Sequence, residues 1–201
     1  MIGSLELPTP PLKYGGTERI VSDLTETLVS RGHEVTLFAT GDSRTKAHLI
    51  AGSQSALLET NYPINPNAAY LLMLDKVVSM SSQFDLIHNH LGWRFLPFNK
   101  YCHCKVLNTY HAPYNHSRVK FIFEEYKDLN YTSLSNSQRN GMGINFVSTV
   151  YNGIQVASFP YSDSPASNSI LHISRIDESK GFDTALELAI DIGRPIVAIG
   201  K

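Results

Sequence analysis

The chain is poor in several things, and each shortage excludes a class. Two cysteines in 201 residues exclude a disulfide scaffold. Neither sign of charge is in surplus: 17 Lys+Arg stand against 18 Asp+Glu, a formal net charge of −1. A dedicated nucleic-acid binder ordinarily carries a basic excess, so that class is disfavoured. No apolar run approaches the roughly 18 residues needed to cross a bilayer. The longest stretch, Ala68 to Val78, is broken by Asp75 and Lys76. The first residues lack the basic start and apolar core of a signal peptide, since Glu6 and three prolines fall within the first 11 positions. The default expectation is a cytosolic chain. Internal repeats and low-complexity tracts are also missing. With 42% apolar and 10% aromatic residues, the composition is that of a globular protein.

What is present is an alternation of strand and helix. Residues Thr17 to Arg31 place Ile20, Val21, Leu24, Leu28 and Val29 on one helical face, and Gly32 stands where a helix-ending glycine belongs. The β-rich run Glu34 to Ala39 follows. A second helix is expected over Asn67 to Ser82, with Leu72, Met73, Val77 and Met80 facing a core. Strands are expected at Leu86 to His88, Lys105 to Tyr110, Tyr131 to Ser135 and Phe146 to Val150. This alternation predicts an α/β fold: a Rossmann-like parallel sheet covered by helices on both faces. Ligands of such sheets bind at the carboxyl ends of strands, so the loops after the strands are the places to search.

The Ser- and Pro-rich stretch 158–168 has no period and reads as a linker. It separates a first domain, 1–157, from a restart of the alternation over 169–201, where strand, helix and strand form one βαβ unit. One such unit cannot bury both faces of its sheet. The expectation is therefore an incomplete second Rossmann-like domain in a fragment of a longer protein.

Several loops carry chemistry. Gly15 and Gly16 open the first helix, where free N–H groups and the positive end of the helix dipole suit an anion. The alternative is a plain glycine turn with Thr17 as N-cap. Arg175 and Lys180 lie five residues apart beside another helix start. Two cations with helix N–H groups suit a diphosphate without requiring a metal. Their alternative is a solvated loop neutralised by Asp177 and Glu178. His88, Asn89 and His90 follow one strand and His111 another. These histidines could hydrogen-bond a sugar hydroxyl, serve structure, or, less readily, bind metal, for which no carboxylate stands at useful spacing. Cys102 and Cys104 are too close in sequence for a zinc pair and read as reduced thiols. Segment 86–123 has no Asp or Glu. It interleaves Arg94, Lys100, Lys105, Arg118 and Lys120 with eight aromatics, a pattern open to peripheral membrane contact or to an aromatic core with a cationic rim.

Taken in order, the motifs resemble a known family. They are Tyr14-Gly-Gly-Thr-Glu-Arg19, Arg31-Gly-His-Glu-Val-Thr36, His88-Asn-His90, Thr109-Tyr-His111, Ser135-Asn-Ser137, Val150-Tyr-Asn-Gly-Ile154 and Ile173-Ser-Arg-Ile-Asp-Glu-Ser-Lys-Gly181. Together they look like a group 1, family four, retaining glycosyltransferase. That resemblance implies the GT-B architecture, two Rossmann-like domains with the acceptor on the first and a nucleotide-sugar donor on the second. It implies that Gly15 and Gly16 lie near the donor phosphates and that His111 contacts the transferred sugar. Arg175 and Lys180 would bind the donor diphosphate, and Asn89 and His90 would face the acceptor. No metal cofactor is implied. The family's paired glutamates of the donor domain would fall beyond Lys201, so this chain alone is expected to be inactive. The implied reaction is retaining transfer of a sugar from a nucleotide diphospho-sugar to a glycan, lipid-linked or small-molecule acceptor. Two alternatives are a non-catalytic glycan- or partner-binding module and a nucleotide-sugar epimerase of GT-B type. A dinucleotide oxidoreductase is disfavoured, because no G-x-G-x-x-G follows a strand.

Overall fold

The computed structural model describes residues 1–59, 64–164 and 167–200. The chain forms two compact units, Met1–Ile154 and Gln155–Lys201. The first unit opens with helix α1, Gly16–Ser30, followed by β1, Thr36–Thr40, and β2, His48–Ser53. Helix α2, Pro66–Ser79, leads to β3, Leu86–Asn89, and a long 3-10 segment, Gly92–Tyr101, leads to β4, Lys105–Thr109. Helix α3, Lys120–Glu125, β5, Tyr131–Ser133, and β6, Phe146–Thr149, complete it.

All strand pairs are parallel. The N-terminal segment joins two halves of one sheet. Ile2 bridges Phe38 of β1 on one side and Asn89 of β3 on the other. Its N–H donates to the His88 carbonyl at 2.9 Å, and the Gly3 N–H donates to the Phe38 carbonyl at 2.8 Å. The spatial order is therefore β2, β1, N-terminal segment, β3, β4, β5, β6. The chain leaves the N-terminal segment toward β1 and later returns to its other side at β3. That reversal is the topological switch point of a doubly wound sheet, where a crevice opens at the carboxyl ends of the strands.

Burial is continuous from Leu37 to Thr40 along β1, as a sheet covered on both faces requires, while successive side chains point to opposite faces. Leu37 and Ala39 join Val21 of α1 in one cluster. Phe38 points the other way, into the cluster of Tyr70, Met73, Leu74 and Val77 from α2 with Ile2, Ile87 and Phe95. An aromatic nest of Tyr114, Phe123 and Tyr131 fills the space beneath β5. Most of the aromatics of segment 86–123 are therefore core, with Tyr101 and Phe121 left exposed.

Local chemistry explains the helix ends. The Asn65 side chain accepts from the N–H groups of Asn67 and Ala68, and Pro66 occupies the first turn of α2. Gly32 takes φ +87, closing α1 as its position predicts.

Some sequence expectations need correction. The N-cap of α1 is Gly15 rather than Thr17. The buried face of α1 is Glu18, Val21, Ser22 and Thr25, so of the five expected apolar positions only Val21 is fully buried. Polar side chains thus line most of the face that meets the sheet, and Leu24 and Leu28 are half-buried beside it. Helix α2 ends at Ser79, and Leu72 is 65% exposed rather than core.

The second unit is one βαβ: β7, Ile170–Ile173, helix α4, Phe182–Asp191, and β8, Ile196–Ile199, with β7 and β8 parallel. Helix α4 starts two residues later than expected, because Gly181 at φ +67 separates it from a 3-10 turn at Glu178–Lys180. Ala189 is its one buried residue among those described. Residues 165–166 of the expected linker, and Lys201, lie outside the described residues. No helix among the described residues is long and apolar enough to cross a membrane.

Candidate functional site

Two groups of polar residues flank the switch point of the first unit. One is the start of α1, which follows the N-terminal segment. Gly15 has φ +144, and a Cβ there would meet Pro11 at 2.8 Å, so the position demands glycine. A Cβ on Gly16 would meet nothing within 4 Å. The N-cap residue offers no side-chain cap, and the Glu18 carboxylate turns back to its own backbone N–H, which leaves the N–H groups of Gly16 and Thr17 for an outside acceptor. Glu18 lies in the same turn. Burial raises its carboxyl above the usual carboxylate range, partly offset by hydrogen bonds that include Ser4.

The other group grows from the ends of β3 and β4. His90 Nδ1 lies 2.9 Å from His111 Nε2. His88 Nε2 lies 2.8 Å from Thr109 Oγ1, which in turn bonds Thr132 on the next strand. The rings of His88 and His90 are 4.0 Å apart between centroids, and those of His90 and His111 are 5.2 Å apart with their planes 26° from parallel, meeting through their nitrogens. Burial lowers all three imidazoles: His88 and His111 to about 4, and His90, the deepest, well below its ordinary value. The cluster is therefore neutral at pH 7. His90 Nε2 is buried with no hydrogen-bond partner.

Asn89 is fully buried, and both its donors are used. Its Nδ2 donates to the Gly92 carbonyl and to Asn108 Oδ1, while its Oδ1 accepts from the Leu91 N–H. In this structure Asn89 shapes the turn that presents His90. Asn108 continues the chain to Asn99 Oδ1 and the Asn130 carbonyl. Gly92, at φ +63, lies against the Tyr110 ring, where a Cβ would come within 2.4 Å. Next to it, the Arg94 guanidinium stacks over the rings of Tyr70 and Trp93 at 5.0 and 4.9 Å.

Sequence reasoning missed Gln138. Its Nε2 donates to the carbonyls of Tyr110 and Ala112, both at 2.8 Å, and its Oε1 accepts from the Leu134 N–H. The available signal was the Ser135-Asn-Ser137 motif, which ends one residue short of it. Tyr114 was also missed. Its hydroxyl accepts from the Tyr110 N–H and donates to the Thr132 carbonyl.

In the second unit, Arg175 Nε pairs with Asp177 Oδ2 at 3.3 Å on the surface. The Asp177 carboxyl is held below its usual range, first by the Ser179 hydroxyl and then by Arg175. Lys180 closes the 3-10 turn just before Gly181 and α4. Both expected cations thus stand at the start of α4, with Arg175 engaged by its own loop.

Cys102 and Cys104 are free and half-buried, and burial pushes the Cys102 thiol up to about 11, so it is not an activated thiolate. Among the described residues no group of three His, Cys, Asp or Glu side chains is arranged to share a metal ion. A cavity of about 330 Å3, with Val35, Thr36, Phe84 and Ile87 in its wall, opens at the amino ends of β1 and β3. That is the rim opposite the switch point, where α/β sheets do not hold their ligands.

An open parallel sheet with a glycine-started helix and a polar rim at its switch point defines a Rossmann-like ligand-binding domain. The profile described as Glycosyltransferase Family 4 matches residues 14–158, and the chain belongs to that family. No curated protein matches the sequence. Among solved structures, the crystal structure of AviGT4, a glycosyltransferase involved in avilamycin A biosynthesis, is similar at a TM-score of 0.61 and 16% identity. The likeness covers 97% of this chain and 54% of that one, so the chain spans about half the length of that protein. At that identity the likeness speaks for the GT-B-like fold alone.

Proposed function

We propose that the protein transfers a sugar, with retention, from a nucleotide diphospho-sugar to a hydroxyl-bearing acceptor. The observation that carries this reading is the pairing of an uncapped helix start at Gly15 and Gly16 with a neutral histidine cluster at one switch point. An anion and a polyol are the ligands such a pair suits. In the transition state positive charge builds on the sugar and negative charge on the departing diphosphate. Arg175 and Lys180 of the second unit bind the donor diphosphate, and the α1 N–H groups reached over Gly16 suit an anionic group. No metal is needed for that task. His111 hydrogen-bonds the transferred sugar. Asn89 and His90 serve the acceptor side by shaping the rim, and the acceptor is a glycan, a lipid-linked sugar or a small molecule.

The test incubates the protein with 13C-labelled UDP-, GDP- and ADP-sugars and candidate acceptors, and follows the anomeric carbon by NMR. The expected product keeps the donor's anomeric configuration. Inversion would overturn retention, and a sugar isomerised while still on the nucleotide would favour the epimerase reading. Glycan binding without turnover in the complete polypeptide would favour a binding module.

A further inference from the structure

The contact between His90 and His111 has a consequence beyond packing. Two neutral imidazoles joined by one hydrogen bond must hold one donor and one acceptor in it. Two arrangements are possible. In the first, His90 Nδ1–H donates to His111 Nε2. In the second, His111 Nε2–H donates to His90 Nδ1, and the His90 proton sits on Nε2.

His90 Nε2 decides between them. It is buried and has no hydrogen-bond partner, and His90 is only 6% exposed. The second arrangement would bury an N–H donor with nothing to receive it. The first leaves only a bare nitrogen lone pair there. Orphaned buried donors are rarer and costlier than under-used acceptors. Protonating both rings is opposed by the same burial that lowers their basicity.

We infer that His90 is a positioning residue that locks His111 in the tautomer protonated at Nδ1. The His111 Nε2 lone pair is then spent on His90. Its Nδ1–H has no partner among the described residues and is not among the buried atoms left unpaired. His111 can therefore offer one hydrogen bond outward and accept no proton. Its partner in the crevice is an oxygen lone pair, such as a hydroxyl or phosphoryl oxygen. His111 cannot act as the general base that deprotonates an acceptor. The use of this donor toward a sugar rests on the proposed function above, whereas the tautomer does not.

Long-range 1H–15N correlation spectra of the full chain, assigned through 13C and 15N labelling, read the protonated nitrogen of each ring at neutral pH. The expected result is protonated Nδ1 and bare Nε2 in both His90 and His111. A proton on Nε2 of either ring, or an imidazolium in either, overturns the inference. His90→Asn keeps a donor near the place of Nδ1 and should preserve the Nδ1–H form of His111. His90→Leu should let that proton move to Nε2, the ordinary preference of free imidazole. If either variant fails to fold, the spectrum of the unaltered chain still decides. These readouts need no turnover, so a failed sugar-transfer assay would count against the proposed function and leave the tautomer standing.

Discussion

The carboxamide of Gln138 grips the chain on both sides of His111. One nitrogen donates to the carbonyl before it, that of Tyr110, and to the carbonyl after it, that of Ala112. The loop that carries His111 is thus held from below by a residue 27 positions further along the sequence, while His90 holds the ring itself.

Replacing Gln138 by Leu should release that grip. Two carbonyls and the Leu134 N–H lose their partner, at a cost of about 1–3 kcal/mol for such partly buried groups. Urea denaturation should show a lower midpoint with an unchanged slope. An unaltered midpoint would mean that water replaces the carboxamide freely.

Asn89→Ala should be at least as damaging. It strips partners from the Leu91 N–H, the Gly92 carbonyl and Asn108 at once. The expected loss is about 2–4 kcal/mol. Because the turn before Gly92 presents His90, the His111 proton signal should broaden or shift in the same variant.

The two adjacent glycines should behave in opposite ways. Gly15→Ala forces a side chain into φ +144 and against Pro11, costing about 1–3 kcal/mol from backbone strain alone. Gly16→Ala meets open space and should leave Tm unchanged or slightly raised. The methyl would stand where an anion approaches the helix, so titration with nucleotide diphospho-sugars should show weakened binding. Equal binding by Gly16→Ala would remove the anion role of this turn.

Arg175→Ala breaks only a solvent-screened surface pair with Asp177, so stability should barely change. Assayed in the complete polypeptide, kcat should fall about 10²–10³-fold if Arg175 meets the departing diphosphate. A kcat within threefold of the parent would remove it from that role.

The histidine cluster makes folding sensitive to acid. His88 and His111 titrate near 4 in the folded state but near 6.5 when unfolded. The unfolded chain therefore binds more protons between these values, and stability falls as pH drops through that window. Their contribution is fully present above about pH 6.5 and is lost by about pH 4. Each group steepens the fall by up to about 1.4 kcal/mol per pH unit. Denaturation midpoints at pH 7.5 and 5.0 should differ accordingly, and His88→Asn should flatten the difference.

The element order was legible from hydrophobic period and glycine punctuation, as Gly32 and the strand at Leu86 illustrate. The phase of α2 was not. Its sequence is apolar around most of its circumference, so nothing in the spacing distinguishes buried Met73 from exposed Leu72. Strand β2 escaped notice because it alternates weakly and is only partly covered. For the site, the shared face of His88 and His90 follows from their spacing on a strand. Their meeting with His111 depends on the register that sets His88 opposite Leu107, and register is a property of the assembled sheet. Gln138 was illegible for the same reason, since its partners are backbone atoms distant in sequence.

Trp93 is the only tryptophan of the chain. It lies between Gly92, which is pressed on the Tyr110 ring, and Arg94, whose guanidinium covers its indole. The molecule thus carries a single indole reporter one residue from the contact that braces the His111 loop. Its emission offers a direct, label-free way to watch that rim respond as a sugar or a phosphate arrives.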